Sequence, residues 1–194
     1  MTQSKAAIFL DRDGCINVES NYITDISMFK LYDGALDAIR KINNANFYTV
    51  VVTNQGGVAK GLTSLETVAK VHQLLLKWCF ESSVVIDRIE FCPHHPDADD
   101  KEFGIICNCR KPATGMALKA AEELSIDILN SYVIGDKLTD IELAKNLGCR
   151  SILVRTGFGA RDEKSLNEKS KIMPDFIADD IGDAVDLVLK NSNG

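Results

Sequence analysis

Two periods alternate along the chain. Short apolar runs rich in β-branched residues end abruptly in polar loops, and between them lie longer stretches whose apolar positions recur at helical spacing. Ala6 to Leu10 is the first run, cut off by Asp11-Arg12-Asp13-Gly14. Phe47 to Val52 is the second, closed by Thr53-Asn54-Gln55-Gly56-Gly57. Val84 to Phe91, Tyr132 to Ile134, Ser151 to Val154 and Phe176 to Ala178 are the remaining predicted strands. Helical patterns cover Gly34 to about Asn43 with Asp33 as N-cap, Ser64 to about Glu81, Thr114 to Leu124, Leu138 to Leu147 stopped by Gly148, and Ile181 to about Leu189. In the second of these, Val68, Val71, Leu75 and Trp78 share one face. Residues 160 to 174 read as a polar connection.

Strands alternating with helices predict an α/β fold, a doubly wound and mainly parallel sheet covered on both faces. A length of 194 residues suits one domain spanning the chain, and 45% hydrophobic with 26% charged residues is ordinary globular composition. No run approaches the ~20 apolar residues of a membrane span, and the first apolar run is too short for a secretory signal. The expectation is a cytoplasmic protein with no membrane partner. A net charge of -6 supplies no field for nucleic acid. Any anionic ligand must therefore meet local cations. Nothing in the pattern marks an interface, so a monomer is expected.

In such a sheet, ligands sit outside the carboxyl ends of the strands. Three predicted strands end at Asp11, Thr53 and Asp136, which brings Asp11, Asp13, Asp136, Asp140, a hydroxyl and an amide toward one crevice. Converging carboxylates repel one another unless a cation joins them, and hard oxygen ligands favour Mg²⁺. Arg110, Lys111 and Lys137 supply the positive charge that a phosphate would need. Taken singly, Asp-x-Asp-Gly is also common turn chemistry, and Asp136 with Asp140 also suits an N-cap and a solvated helix face. Their coincidence at matching strand ends favours a site.

The segment Cys92-Pro-His-His-Pro to Cys107-Asn-Cys109 concentrates metal-binding side chains. Three thiolates and one imidazole satisfy a closed tetrahedral Zn²⁺ site, which leaves no position for substrate and is structural. Spacing leaves His94 and His95 as alternatives. A disulfide or plain buried thiols are the competing readings, the first disfavoured in a reducing compartment. Cys79 and Cys149 read as core thiols. A nucleic-acid zinc knuckle is opposed by Asp97, Asp99, Asp100 and Glu102 in the same loop. The nucleotide phosphate loop Gly-x-x-x-x-Gly-Lys-[Ser/Thr] is absent from the sequence.

"IFLDRDGCIN", "VVVTNQGG", "CRKP" and "YVIGDKLTDIELA" resemble, in order and context, the four motifs of the haloacid dehalogenase-like phosphatases. "CPHHP" followed by "CNCRKP", with "NVESNYI", resembles more narrowly the sugar-bisphosphate subgroup, in which histidinol phosphate is an alternative substrate. The resemblance implies a Rossmannoid fold with no large cap domain, a flap at about 15–30 and a zinc loop at about 92–109. It implies Asp11 as nucleophile and Asp13 as general acid/base, with Thr53, Asn54 and Lys111 stabilising the phosphoryl group. Mg²⁺ would be held by Asp11, the backbone carbonyl of Asp13, and Asp136, with Asp140 orienting Lys137 or a metal-bound water. Glu19, Ser20, Asn21, Tyr22, Arg110 and Lys137 would bind a small phosphorylated sugar, Arg110 gripping the phosphate that is not cleaved. For zinc the resemblance favours Cys92, His94, Cys107 and Cys109. One departure stands out: Cys15 occupies the place of an expected threonine or serine.

Overall fold

The structure is a computed structural model that describes residues 4–166 and 172–192. The apolar runs form strands β1 (Lys5–Leu10), β2 (Tyr48–Asn54), β3 (Arg88–Cys92), β4 (Ile126–Gly135), β5 (Arg150–Val154) and β6 (Phe176–Ala178). They make one sheet in the order β3-β2-β1-β4-β5-β6, every pairing parallel. The helices are α1 (Ala35–Asn44), α2 (Leu65–Glu81), α3 (Gly115–Leu124), α4 (Leu138–Leu147), α5 (Gly159–Ser165) and α6 (Ile181–Ser192). Alternation along β1 sorts its side chains between two cores. Ile8 and Leu10 pack with Ile39 of α1, Leu75 of α2 and Val185 of α6, while Ala7 and Phe9 pack with Ala117 of α3 and Leu143 of α4. Both faces are covered, so the inner strands can be apolar throughout.

Several boundaries differ from the sequence expectation. Residues 84–87 do not join the ladder; Val84 and Ile86 are buried, but the Val85 N–H donates to Asn43 Oδ1 at 2.8 Å, so this stretch caps the core before β3 begins at Arg88. Strand β4 starts six residues early, at Ile126, pairs with Lys5 and Ala6, then bows out before Tyr132 meets Ile8. Ser131 tethers that bow, its hydroxyl accepting from the Ala7 N–H at 2.9 Å. Helix α1 is preceded by Gly34 in the left-handed region (φ 78°), not by an Asp33 cap. The polar connection contains α5, whose Asp162 accepts from the first N–H of α4 at 3.0 Å; the part of that connection at 167–171 lies outside the described residues. The Ser64 start of α2 is as expected, its hydroxyl accepting from the Thr67 N–H at 3.0 Å.

The strand order reverses direction between β1 and β4, and the loops leaving these two strands diverge there to leave a crevice. Above it rises the segment from Cys15 to Lys30, closed at its base where Asn17 bridges to Asp13 and to Leu31. No helix among the described residues is long and apolar enough to cross a membrane.

Candidate active site

Asp11, Asp136 and Asp140 meet at the switch point, all buried, with a carboxylate oxygen of each within 4.8 Å of the others. Asp11 leaves the end of β1, Asp136 the end of β4, and Asp140 sits in the first turn of α4. Gly14 lets the loops close: its φ of +86° suits glycine, and a Cβ there would lie 2.1 Å from Asp136 Oδ2. That is the physical reason for a glycine after Asp-x-Asp.

Lys111 is the counter-charge. Fully buried, it places Nζ 2.9 Å from Asp11 and 2.6 Å from Asp140. Burial works against its ammonium, but the two carboxylates outweigh that and raise its pKa. Its backbone is fixed by Asn54, whose side chain donates to the Lys111 carbonyl at 3.1 Å and accepts from its N–H at 3.0 Å. Asn54 therefore fixes the chain that carries Lys111, and its second amide N–H is left to donate. Thr53 accepts from Gln55 Nε2 at 2.8 Å, which leaves its own proton to donate.

One cation does not balance the carboxylates. Burial first, and then the charge of Asp11, push Asp136 up to about 8. Asp140 rises to about 6 through burial, with Lys111 opposing and Asp11 adding to the shift. Asp136 Oδ2 accepts from the Phe158 N–H at 2.8 Å, while buried Oδ1 has no hydrogen-bond partner, its nearest cation being Lys137 Nζ at 3.7 Å. An orphaned carboxylate oxygen beside a second carboxylate fits a hard divalent cation. Asp140, in contrast, is engaged by Lys111 and by the Lys137 backbone N–H at 3.1 Å.

Asp13 is held differently. Burial would raise its pKa, but Arg12, with Asn17 and Gln55, lowers it below the usual carboxylate value. Arg12 Nη2 donates at 2.8 Å, Gln55 Nε2 at 2.7 Å and Asn17 Nδ2 at 3.0 Å. Arg12 is itself only 1% exposed, and its Nη1 lies 3.0 Å from His72 Nε2 on α2. Burial first, and then the charge of Arg12, bring His72 down to about 4, so the neutral ring accepts from the guanidinium. Arg12, Gln55 and His72 were not singled out in the sequence. The first two adjoin named residues and could have been; His72 carries no local signal.

Beside these groups opens a cavity of about 350 Å³. Glu19, Asn21, Tyr22, Arg110, Lys111 and Lys137 are among its lining residues. Lys137 Nζ pairs with Glu19 at 2.9 Å, which ties the raised segment to α4. Burial opposes the Lys137 charge, but Asp11, Asp136 and Glu19 raise its pKa. Arg110 donates to the His94 carbonyl at 3.1 Å, and Ser20 is half-buried beside Glu19.

Thirteen to seventeen positions along the chain separate Cys92 and His94 from Cys107 and Cys109, yet the side chains converge. Sγ of Cys109 lies 3.0 Å from Cys92 and 3.2 Å from Cys107, and His94 Nδ1 is 3.2 Å from Cys109 and 3.6 Å from Cys92. These separations exceed the ~2.05 Å of a disulfide and approach the ~3.7 Å edge of a tetrahedron with Zn–S bonds of ~2.3 Å. The described cysteines are free thiols. His94, not His95, turns its ring into the cluster. Cys79 is buried as expected, and Cys149 is half-buried, donating to the Ala144 carbonyl at 3.7 Å.

A family model described as HAD-hydrolase-like matches residues 108–184. A D-glycero-beta-D-manno-heptose-1,7-bisphosphate 7-phosphatase of Yersinia pestis is 40% identical over 185 residues, covering 94% of this chain and 95% of the relative. The chain belongs to the haloacid dehalogenase-like phosphatases. As a phosphoric monoester hydrolase of this family, the phosphatase is also 38% identical over 192 residues to a D-glycero-D-manno-heptose-1,7-bisphosphate 7-phosphatase of Thermosynechococcus vestitus, with 95% of each chain covered. Among solved structures, the D,D-heptose 1,7-bisphosphate phosphatase of B. bronchiseptica, complexed with magnesium and phosphate, superposes with a TM-score of 0.82 at 29% identity, covering 96% of this phosphatase and 99% of that chain.

Proposed function

We propose that this chain, acting as a single domain over residues 1–194, removes the 7-phosphate of D-glycero-D-manno-heptose 1,7-bisphosphate to give heptose 1-phosphate. The product would serve nucleotide-activated heptose and surface glycan (lipopolysaccharide) synthesis. The observation that carries the reading is the joining of Asp11, Lys111 and Asp136 at one strand-end crevice, in a chain alike over nearly its full length to relatives of that name. We read it as a cytoplasmic monomer.

Asp11 attacks phosphorus, the bond from phosphorus to the sugar oxygen breaks, and an aspartyl phosphate forms. Asp13 gives its proton to the departing oxygen and later takes one from the water that hydrolyses the aspartyl phosphate. The hydrogen bonds from Arg12, Asn17 and Gln55 keep Asp13 ionised before substrate arrives. An incoming phosphate dianion raises the proton affinity of a neighbouring carboxylate, so that Asp13 takes up a proton from solvent as substrate binds and has it to give. Lys111 and the Thr53 hydroxyl meet the phosphoryl oxygens, and Asn54 positions Lys111. Asp11, the Asp13 carbonyl and Asp136 would hold Mg²⁺, whose chemistry there is to neutralise carboxylate and phosphoryl charge. Cys92, His94, Cys107 and Cys109 would hold a structural Zn²⁺. Glu19, Ser20, Asn21, Tyr22 and Lys137 would contact the sugar, and Arg110 the uncleaved phosphate.

The test is kcat/KM on both heptose bisphosphate anomers and on histidinol phosphate with one preparation, with Asp11→Asn as control. The expected result is a bisphosphate preference of at least about tenfold, ~1.4 kcal/mol in barrier, and phosphate release lost in Asp11→Asn. Histidinol phosphate winning by orders of magnitude would overturn the substrate, and full turnover by Asp11→Asn would overturn the nucleophile.

A further inference from the structure

Gly56 and Gly57 follow β2, and neither has a positive φ among the described residues, so their use is space rather than conformation. A Cβ on Gly56 would lie 3.0 Å from Arg110 Nη1 and 3.0 Å from His95 Cδ2. A Cβ on Gly57 would lie 2.6 Å from Tyr22 Cδ1. The missing side chains therefore let Arg110, His95 and Tyr22 close in around one end of the 350 Å³ cavity.

Two further donors stand at that end. His95 Nδ1 accepts from the Asp97 N–H at 3.2 Å, so a neutral ring keeps its proton on Nε2. Lys60 Nζ donates to the Tyr22 hydroxyl at 3.2 Å, which leaves the phenol proton free to donate in turn. Tyr22 ties Lys60 to this group, in which Arg110 and His95 both approach Gly56. The acid nearest this group is Asp97, 3.9 Å from His95 Nδ1 but 86% exposed, and Glu19 across the cavity is already paired with Lys137. Lys111, paired with Asp11, and Lys137, paired with Glu19, line the same cavity, so its cations fall into two groups, one joined to the carboxylate crevice and one around Gly56. That layout fits a ligand with two phosphates.

We propose that Lys60 and His95 join Arg110 to form the subsite for the phosphate that is not cleaved, and that Gly56 is the residue that keeps this subsite open. The proposal rests on the bisphosphate reading above and adds the residues that set the preference for a second phosphate. His95 thereby acquires a task separate from its neighbour His94, which faces the thiols.

The experiment measures kcat and KM on heptose 1,7-bisphosphate and on heptose 7-phosphate for the wild type, Lys60→Met, His95→Ala and Gly56→Ala. In each variant the bisphosphate-to-monophosphate ratio of kcat/KM is expected to fall about tenfold, carried by KM, as for loss of one charge-assisted hydrogen bond. His95→Gln, which keeps a donor, should recover part of the ratio. Lys60 is exposed, so its variant tests the subsite even if His95→Ala or Gly56→Ala folds poorly. Ratios within about twofold of wild type in both Lys60→Met and His95→Ala, with full bisphosphate turnover, would overturn the subsite alone. A wild-type enzyme that turns over neither heptose phosphate would overturn the substrate reading and the subsite with it.

Discussion

The molecule gathers ligating side chains twice, in opposite ways. The crevice between β1 and β4 collects carboxylates, hard and mutually repelling, met by Lys111 at Asp11 and Asp140 and leaving the buried Asp136 Oδ1 without a hydrogen-bond partner. The end of β3 and the loop after it collect three thiols and an imidazole that use one another as neighbours. The first arrangement is unbalanced and open to a cavity, as a centre that must exchange ligands requires. The second is closed and suits a scaffold. Two links connect them: Cys109 is bonded to Arg110 and then Lys111, and Asn54 grips the Lys111 backbone from β2. The soft cluster thus fixes the path of the chain that delivers a cation to the hard one.

Metal removal should separate the two regions most sharply. Chelating Mg²⁺ is expected to stop phosphate release while the thermal transition stays sharp, since the crevice retains Lys111 as its counter-charge. Stripping zinc with a thiol-competitive chelator should lower Tm by about 5 °C or more and impair activity indirectly through Arg110 and Lys111. A preparation free of zinc by metal analysis that melts and turns over like the untreated protein would sink the scaffold role.

The two regions also differed in how far the sequence exposed them. The crevice was legible because each acid sits where an apolar run stops, and a parallel sheet sends all such ends the same way. The cysteine pairs were legible by spacing, but the choice of His94 over His95 was not, because both precede a loop whose path only the fold determines. The charge cage of Asp13 was half legible. Arg12 and Gln55 are motif neighbours, whereas His72 reaches the site from the middle of α2, a contact between residues 60 apart. The α5 segment was missed because a short helix with few buried side chains reads as polar linker. The grip of Asn54 on the Lys111 backbone could not be read, since a motif gives position and not hydrogen-bond partner.

His72 gives a smaller and more specific test of the crevice. Its pKa falls from 6.5 to about 4 on folding, because burial and Arg12 disfavour the charged ring. A depressed histidine leaves the folded state with fewer bound protons than the unfolded state between these two values. Stability is then full above pH 6.5 and declines as pH falls toward 4. His72→Gln, an acceptor that does not titrate, should flatten that decline by about 1–2 kcal/mol after allowance for the ring's partial exposure. Denaturant unfolding of both proteins at several pH values in the window reads the difference. Parallel curves would mean that His72 does not stay neutral behind Arg12.

Cys15 offers the smallest effect and the closest comparison, because it is a soft ligand type placed inside the hard centre. Unlike Cys92, Cys107 and Cys109, it belongs to no cluster of metal-ligating side chains among the described residues. It is fully buried, its Sγ donates to the Ile134 carbonyl at 3.8 Å, and burial, with the charges of Asp11, Asp136 and Asp140, raises its pKa well above the ordinary thiol value. A thiol held protonated in this way is neither a nucleophile nor a metal ligand. What it contributes is one weak hydrogen bond to the β4 carbonyl that precedes Gly135 and Asp136. Cys15→Thr substitutes a stronger donor for that bond and adds one methyl group to a filled site, two small changes of opposite sign. Turnover should therefore stay within about tenfold of wild type, ~1.4 kcal/mol in barrier, with Cys15→Ser separating the donor effect from the added methyl. A larger loss in both variants would mean that the thiol takes part in the centre after all, and that hard and soft ligands are not divided between the two regions.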